Sequence, residues 1–194
     1  MAKSIKLFLN QYLSEIINSI SKADILEIKK ASDLILKTVK DKKTIFVCGN
    51  GGSAAIANHY ICDYLKFLRQ HSNLKPKVIS LSSNIETVTA ISNDIGYDQI
   101  FKYQAESLFI KNDLLIAISS SGESKNIKEV VKFSKKKKVK VIGFSAFEGG
   151  FLKKNSDISI FVPIKNYGVA EDSHHILMHI ILQYLMLTQK NKAI

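Results

Sequence analysis

Cysteine and proline are both scarce in this chain of 194 residues, which contains two of each. Cys48 and Cys62 have neither the spacing of a metal-binding motif nor the number that a disulfide framework needs, so we expect a reducing, cytoplasmic compartment. Pro76 and Pro163 lie at the edges of predicted strands rather than in a linker, and no internal repeat is visible. We therefore expect a single domain over residues 1–194.

Long apolar runs are also missing. Near the N-terminus, the apolar pattern is interrupted by four polar residues, which are Asn10, Gln11, Ser14 and Glu15. We therefore expect neither a signal peptide nor a membrane-spanning segment, and no membrane partner.

Acidic residues are few relative to basic ones, with 17 Asp and Glu against 28 Lys and Arg, and the formal net charge is +11. Such a charge can indicate a nucleic-acid partner. However, the lysines are dispersed except at residues 135–138, and no aromatic residues that could stack on bases alternate with them. The sequence therefore argues against a nucleic-acid partner.

A glycine-rich loop is the most informative feature that is present. The apolar run at residues 45–48 ends in Gly-Asn-Gly-Gly-Ser at residues 49–53, and a helix-compatible stretch follows. A strand, a glycine turn and a helix together expose backbone N–H groups to an anion. The loop is neither a Walker motif nor a dinucleotide-binding motif, so we expect no nucleotide cofactor. Taken alone, it fits a plain tight turn equally well.

A second loop favours the anion-binding interpretation. The apolar run at residues 114–118 leads into Ser-Ser-Ser-Gly-Glu-Ser at residues 119–124, again before a predicted helix. One such loop would be an ordinary serine-rich turn. Two of them after parallel strands would face the same crevice at the carboxyl edge of a sheet. The sequence therefore predicts a small phosphorylated ligand.

The order of apolar patterns predicts an α/β fold. Two leading helices, at about 4–20 and 23–40, precede five strands separated by helical stretches, and a last helix covers about 169–189. The strands are predicted at about 44–48, 77–81, 113–118, 139–144 and 157–162. This alternation is typical of a parallel sheet covered on both faces. The broad apolar arc of the first helix would pack either on the sheet or on another subunit, which would make a homo-oligomer.

Histidines and carboxylates form a third pattern. His59 and Asp63 are four residues apart on one predicted helix, as are Glu171, His175 and His179 on another, with His174 one step aside. His59, Asp63, Glu171 and His179 supply two imidazoles and two carboxylates, a set that suits zinc. It equally suits proton transfer without a metal, with Asp63 as base and His179 as acid.

With these motifs assembled, the chain resembles the sugar isomerase (SIS) domain family, and within it the phosphoheptose isomerases. The resemblance covers nearly the whole chain. It rests on residues 48–53, His59, residues 93–96 (Asn-Asp-Ile-Gly), residues 119–124 and the helix with His174 to His179. It implies a three-layer, flavodoxin-like sandwich with a five-stranded parallel sheet, and a homotetramer in which the leading helices make subunit contacts.

The resemblance also implies roles for individual residues. Phosphate would be held by the serine loop, through Ser119, Ser120, Ser121 and Ser124. The sugar would be bound by Asn50, Gly51, Gly52, Ser53, Asn93, Asp94 and Glu171. One zinc ion per subunit would be held by His59, Asp63, Glu171 and His179, with Asp63 and His179 as the acid–base pair.

Two residues depart from the family pattern. Asp63 stands where the family has Glu, so either the metal distance or the reach to the substrate must adjust. Glu171 stands where the family has Gln, and its charge would make a zinc site with two histidines and two carboxylates neutral.

The expected reaction is aldose–ketose isomerisation through an enediol or enediolate, most simply of sedoheptulose 7-phosphate. A role in heptose supply for a surface polysaccharide is implied by the resemblance alone. Two alternatives stay open at this point. One is an isomerase of another phosphosugar, and the other is a non-catalytic SIS-domain protein that associates with a DNA-replication initiator.

Overall fold

A computed structural model describes residues 4–190 of the chain. Five strands form one parallel sheet in the order β2-β1-β3-β4-β5. They are β1 (Thr44–Gly49), β2 (Lys77–Ser80), β3 (Leu114–Ser119), β4 (Lys140–Ser145) and β5 (Ile158–Phe161). The predicted five-stranded parallel sheet is therefore confirmed.

Helices lie before, between and after these strands. They are α1 (Ile5–Ser21), α2 (Ile25–Lys40), α3 (Gly52–Cys62), α4 (Arg69–His71), α5 (Ile85–Asp94), α6 (Ile100–Leu108), α7 (Lys125–Lys136), α8 (Gly150–Asn155) and α9 (Tyr167–Thr188). None of the helices within residues 4–190 is both long and apolar enough to cross a membrane.

The sheet separates two apolar layers, because side chains along a strand alternate between its faces. Ile45 and Val47 of β1 belong to the layer shared with α2, α3 and α9, whereas Phe46 and Cys48 belong to the layer shared with α5, α6 and α7. Every residue of β3 is buried, as expected for a central strand covered on both faces. This arrangement is the predicted three-layer sandwich.

One predicted helix is less regular than its sequence pattern suggested. The helix-compatible stretch after the glycine loop begins at Gly52, inside the loop itself, and passes into a π-helical segment at Asp63–Leu68 before α4. Tyr60 and Tyr64 are fully buried and stacked, with ring centroids 4.1 Å apart. A π turn contains more residues than an α turn. With this wider turn, Tyr64 and Leu68 are buried on the same side of the helix as Tyr60.

Helix α1 leaves much of its apolar surface uncovered by the other described residues. Polar groups join it to α9: Tyr12 donates a hydrogen bond to Asp172 (2.7 Å), and the hydroxyls of Ser19 and Ser173 lie 2.9 Å apart. Ile20 packs against the core, whereas six other large apolar side chains of α1 are about half exposed or more, namely Ile5, Leu7, Phe8, Leu9, Leu13 and Ile17. Intramolecular cover of the sheet therefore does not account for the apolar arc of α1.

The buried carboxylate of Asp113 connects the starts of two strands, and we predict that it is important for stability. Its two oxygens accept hydrogen bonds from the backbone N–H groups of Thr44 and Ile110, each at 2.9 Å. Asp113→Ala would leave both N–H groups without this partner, so the free energy of unfolding should fall by about 3 kcal/mol. Urea unfolding measures the change.

Asp33→Ala is the matched control, because Asp33 pairs with Lys29 on the solvent-exposed face of α2. An exposed ion pair is screened by water and contributes little, so this variant should unfold close to wild type. Equal destabilisation by the two substitutions would contradict the role of Asp113.

Candidate functional site

The two loops singled out from the sequence are neighbours in the fold. Strands β1 and β3 pair directly, and β2 pairs with the opposite edge of β1. The direction in which successive strands are added to the sheet therefore reverses between β1 and β3. Loops at the carboxyl ends of strands that flank such a switch point form the usual ligand crevice of open α/β sheets. The loop at residues 50–53 and the serine loop at residues 119–124 flank this crevice.

The serine loop presents several hydroxyls at the start of a helix. Ser124 precedes α7, and its hydroxyl lies 3.3 Å from that of Ser119 without capping the helix. Ser120 is buried, and its hydroxyl has no hydrogen-bond partner among the residues that the structure describes. Gly122 has a φ of 67°, and its N–H donates to the Ser119 carbonyl (2.9 Å), which turns the loop back on itself. The hydroxyls of Ser119, Ser120 and Ser124 are therefore available to a bound anion.

Asn50 joins the glycine loop to the serine loop. Its amide exchanges two hydrogen bonds with the amide of Asn126, both at 2.9 Å, and its oxygen also accepts one from the Tyr97 hydroxyl (2.9 Å). Asn126 is buried at the start of α7. This network fixes the width of the crevice. Asn126 and Tyr97 were not singled out from the sequence, since an Asn in a helix and a lone Tyr carry no motif.

Glu171 faces the crevice across Gly52. A Cβ atom added at Gly52 would overlap the Glu171 carboxylate, so the absence of a side chain at Gly52 makes room for that carboxylate at the N-terminus of α3. Nine residues line a cleft of about 130 Å³ here, namely Asn50, Ser53, Ile118, Ser119, Ser120, Ser121, Ser124, Tyr167 and Glu171. The cleft therefore unites both loops with the start of α9.

Asn93 and Asp94 are not brought into this cleft. Both are exposed at the end of α5, where the Asn93 amide donates to the Asp94 carboxylate (2.7 Å). Tyr97 and Asp98, a few residues later, line the wider opening beside Asn50 and Lys125 instead. The predicted sugar contacts of Asn93 and Asp94 stay predictions.

A second group of polar side chains lies further along α3 and α9. His59 Nε2 lies 3.3 Å from His179 Nε2 and 3.3 Å from Asp63 Oδ1, and His179 Nε2 lies 3.1 Å from Asp63 Oδ2. Asp63 is 3% exposed, and within the described part of the chain its Oδ2 atom makes no hydrogen bond, because the His179 ring approaches outside hydrogen-bond geometry. The structure thus brings together three of the four residues predicted as metal ligands.

The spacing of these atoms fits a zinc ion. Two atoms that bind one zinc at about 2.0 Å in tetrahedral geometry lie about 3.3 Å apart. The Nε2 atoms of His59 and His179 are 3.3 Å apart, and each lies 3.1–3.3 Å from a different oxygen of the Asp63 carboxylate. The donors are two imidazole nitrogens and a carboxylate, all of types that zinc accepts. His59, Asp63 and His179 therefore fit the predicted metal.

His175 belongs to the same cluster, whereas Glu171 is not part of it. Ring nitrogens of His59, His175 and His179 all lie within 4.8 Å of one another. Burial is the main cause that lowers the pKa of His175 from its usual value, and the neighbouring His179 and His59 lower it further. The i, i+4 spacing of His175 and His179 was visible in the sequence. It could not show which of the adjacent His174 and His175 faces α3.

His174 points into the core instead. Its side chain is fully buried against Phe144, and neither ring nitrogen makes a hydrogen bond. Burial lowers the pKa of His174 to about 4. The nearby Ser145 backbone raises this pKa by a smaller amount, and it lies outside hydrogen-bond geometry. His174 is therefore a neutral core residue.

Helices α3 and α9 run side by side in the same direction. Gly52 meets Glu171 at their N-terminal ends, and His59 meets His179 seven and eight residues later. At 1.5 Å per residue, the cleft and the histidine cluster are separated by about 10–12 Å along the helices. The site therefore has two chemically different ends.

Comparison with known proteins gives consistent matches. A model of the SIS domain matches residues 9–146. Phosphoheptose isomerase of Helicobacter pylori is 34% identical over 79% of this chain and 80% of its own length. The corresponding protein of Buchnera aphidicola is 37% identical over 86% of this chain and 84% of its own.

Solved structures agree with these sequence matches. Phosphoheptose isomerase from Neisseria gonorrhoeae superposes with a TM-score of 0.86 at 26% identity, covering 94% of this chain and 98% of that one. The enzyme from Francisella tularensis superposes with a TM-score of 0.84 at 27% identity, covering 95% and 96%.

The burial of His174 predicts an acid-sensitive stability. An unfolded histidine titrates near pH 6.5, whereas folded His174 has a pKa of about 4, so the unfolded state binds a proton that the folded state does not. The stabilising effect is present above pH 6.5 and is lost as the pH falls towards 4. Because of His174, the free energy of unfolding should fall by about 2 kcal/mol between pH 7 and pH 5.

Urea unfolding at both pH values, with a chelator present, measures this loss. In His174→Leu the pH dependence should be shallower by that amount, because no group titrates at position 174. Parallel pH profiles for wild type and variant would refute the assignment.

Proposed function

The chain belongs to the SIS domain family, among the phosphoheptose isomerases, and we propose that it interconverts sedoheptulose 7-phosphate and the corresponding heptose 7-phosphate. The observation that carries this proposal is the separation between the serine cleft and the histidine cluster. An aldose–ketose isomerase acts at carbons 1 and 2, whereas the phosphate of a heptose 7-phosphate is at the far end of the carbon chain. Two chemically different ends about 10–12 Å apart suit such a substrate better than a short phosphosugar.

The serine cleft suits the phosphate. Hydroxyls of Ser119, Ser120 and Ser124 converge at the N-terminus of α7, where the helix dipole favours negative charge. The Glu171 carboxylate, on the opposite side of the cleft, would repel phosphate but can accept hydrogen bonds from sugar hydroxyls. Ser121, together with Asn50, Gly51, Gly52 and Ser53 of the glycine loop, is assigned to the same ligand.

Proton transfer is assigned to the cluster end. We assign Asp63 as the base that removes a proton from the carbon beside the carbonyl, giving an enediolate, and a proton is then returned to the neighbouring carbon. His179 lies 3.1 Å from the same carboxylate and can exchange protons with the two sugar oxygens. The buried position of Asp63 keeps the carboxylate away from bulk water. Phosphate contacts remote from the reacting carbons orient them for the reaction.

His59, Asp63 and His179 would hold a zinc ion, and the sequence also predicts Glu171 as a ligand. When bound, zinc polarises a carbonyl or hydroxyl oxygen. This converging set favours an enzyme over the non-catalytic binding protein, because a binding role gives no reason to gather two imidazoles around a buried carboxylate.

We further propose a cytoplasmic homotetramer of single-domain subunits that supplies heptose for a surface polysaccharide. The uncovered apolar face of α1 supports subunit contacts, and so do exposed apolar residues on α2 and α9, including Ile25, Leu26, Ile180 and Leu187. Scattered exposed apolar residues are ordinary, but Ile25, Leu26 and Ile180 line one apolar depression between α2 and α9, which favours a protein partner.

We predict that removing two hydroxyls of the cleft weakens phosphosugar binding. Ser119→Ala combined with Ser121→Ala should raise KM for sedoheptulose 7-phosphate by about a hundredfold, given roughly 1.5 kcal/mol for each hydrogen bond to a charged group. Steady-state kinetics measures this. Ser107→Ala with Ser83→Ala is a control of equal size outside the cleft and should leave KM unchanged. An unchanged KM in the cleft variant would contradict phosphate binding there.

We predict that Asp63→Asn abolishes isomerisation, because an amide cannot accept the substrate proton at neutral pH. Asp63→Glu should retain activity, because it keeps the carboxylate. Wild type, Asp63→Asn and Glu171→Gln are incubated with sedoheptulose 7-phosphate and with shorter phosphosugars in deuterated water, with and without zinc. Product identification reports isomerisation, and deuterium in recovered substrate reports the enediolate directly.

Phosphosugar binding should survive in Asp63→Asn, because the serine cleft is intact. An active Asp63→Asn with an inactive Glu171→Gln would move the base role to Glu171. Wild type that neither isomerises nor exchanges any phosphosugar would favour the non-catalytic binding protein.

A further inference from the structure

We propose that His175 is the fourth protein ligand of the metal site, with His59, Asp63 and His179, and that Glu171 remains outside it as a sugar-binding group. This inference rests on the proposed function, since it concerns the metal of that same site. It changes the ligand set from two imidazoles and two carboxylates to three imidazoles and one carboxylate.

The first support is the position of the His175 ring. Its centroid lies 4.5 Å from that of His179 and 4.7 Å from that of His59. The ring nitrogens of the three histidines lie within 4.8 Å of one another, at most about 1.5 Å beyond the tetrahedral spacing of zinc ligands. A side-chain rotation of His175 can close such a gap without moving the helix, because His175 and His179 are one turn apart on α9.

The second support is an unsatisfied polar atom. Nε2 of His175 is buried and has no hydrogen-bond partner among residues 4–190, and the same is true of Asp63 Oδ2. Buried polar atoms without partners are uncommon and call for a water or an ion. One cation shared by these two atoms and the two other histidines would satisfy both of them.

The third support is that Glu171 is already engaged elsewhere. Its carboxylate lies over Gly52 at the N-terminus of α3, among the residues that line the serine cleft. The dipole at the N-terminus of the helix favours a carboxylate at this position. To join the cluster, Glu171 would have to leave this favourable position.

The change of ligands also changes the charge of the site. Zinc with Asp63 and three neutral imidazoles has a net charge of +1, whereas replacing one imidazole by the Glu171 carboxylate gives zero. A site with net positive charge polarises a sugar carbonyl more strongly. His175 as the ligand therefore leaves the metal the better Lewis acid, while Glu171 stays free to bind sugar hydroxyls.

The test is zinc affinity, measured without substrate by competition with a chromogenic chelator on wild type and single variants. His175→Ala should weaken zinc binding at least about tenfold. The loss of a residue that only orients a metal ligand already costs about that much, and the loss of a direct ligand should cost no less. Glu171→Ala, which removes every possible ligand atom at this position, should bind zinc as wild type does. His71→Ala is the matched control, because His71 borders the same depression and its Nδ1 atom contacts the Phe67 carbonyl outside the cluster.

A second readout is the visible spectrum of the cobalt-loaded protein, which reports the number and type of ligands. The spectrum should change in His175→Ala and stay the same in Glu171→Ala, with circular dichroism checking that each variant is folded. Unchanged zinc affinity in His175→Ala, weakened affinity in Glu171→Ala, or no zinc binding by wild type would each overturn the proposal. A wild-type protein that binds zinc but does not isomerise phosphosugars would instead contradict the proposed function.

Discussion

The side-by-side packing of α3 and α9 in one direction is the constraint on which the site depends. Gly52 permits this approach at one end, because a side chain there would overlap the Glu171 carboxylate. At the other end, His59 meets His179 with ring nitrogens 3.3 Å apart. Both helices also contribute to one apolar layer on the sheet, through residues such as Ile56, Ala57, Leu177 and Ile181. The core that stabilises the fold therefore also fixes the register in which the functional side chains meet.

Much of this arrangement could be predicted from the sequence, because it depends on local patterns. Strands with apolar runs, a glycine turn and a serine turn indicated a parallel sheet with two loops at one edge. The i, i+4 spacing put His59 and Asp63 on one helix face, and the same rule applied to His175 and His179. Resemblance to a known family supplied the pairing of the two helices, which spacing within one helix cannot give.

The remaining features depend on contacts between elements distant in sequence. Glu171 is four residues from His175 and shares its helix face, so periodicity alone could not show that its carboxylate turns towards Gly52. His174 and His175 are adjacent, and only the packing of His174 against Phe144 decides which of them enters the core. The π turn after α3 likewise follows from the burial of Tyr60 and Tyr64, not from a local signal.

The two ends of the site differ in how strongly the fold holds them. At the serine cleft, Asn50 is fixed by three hydrogen bonds to Asn126 and Tyr97, so the crevice is largely formed without a ligand. At the cluster, the His59 and His179 side chains are about 40% exposed, and the buried Asp63 carboxylate has an oxygen without a hydrogen bond. Under the proposed function, phosphate contacts in the preformed cleft would orient the distant carbons. The cluster, in contrast, leaves polar atoms without partners among the described residues, so its geometry would depend on what it binds as well as on the fold.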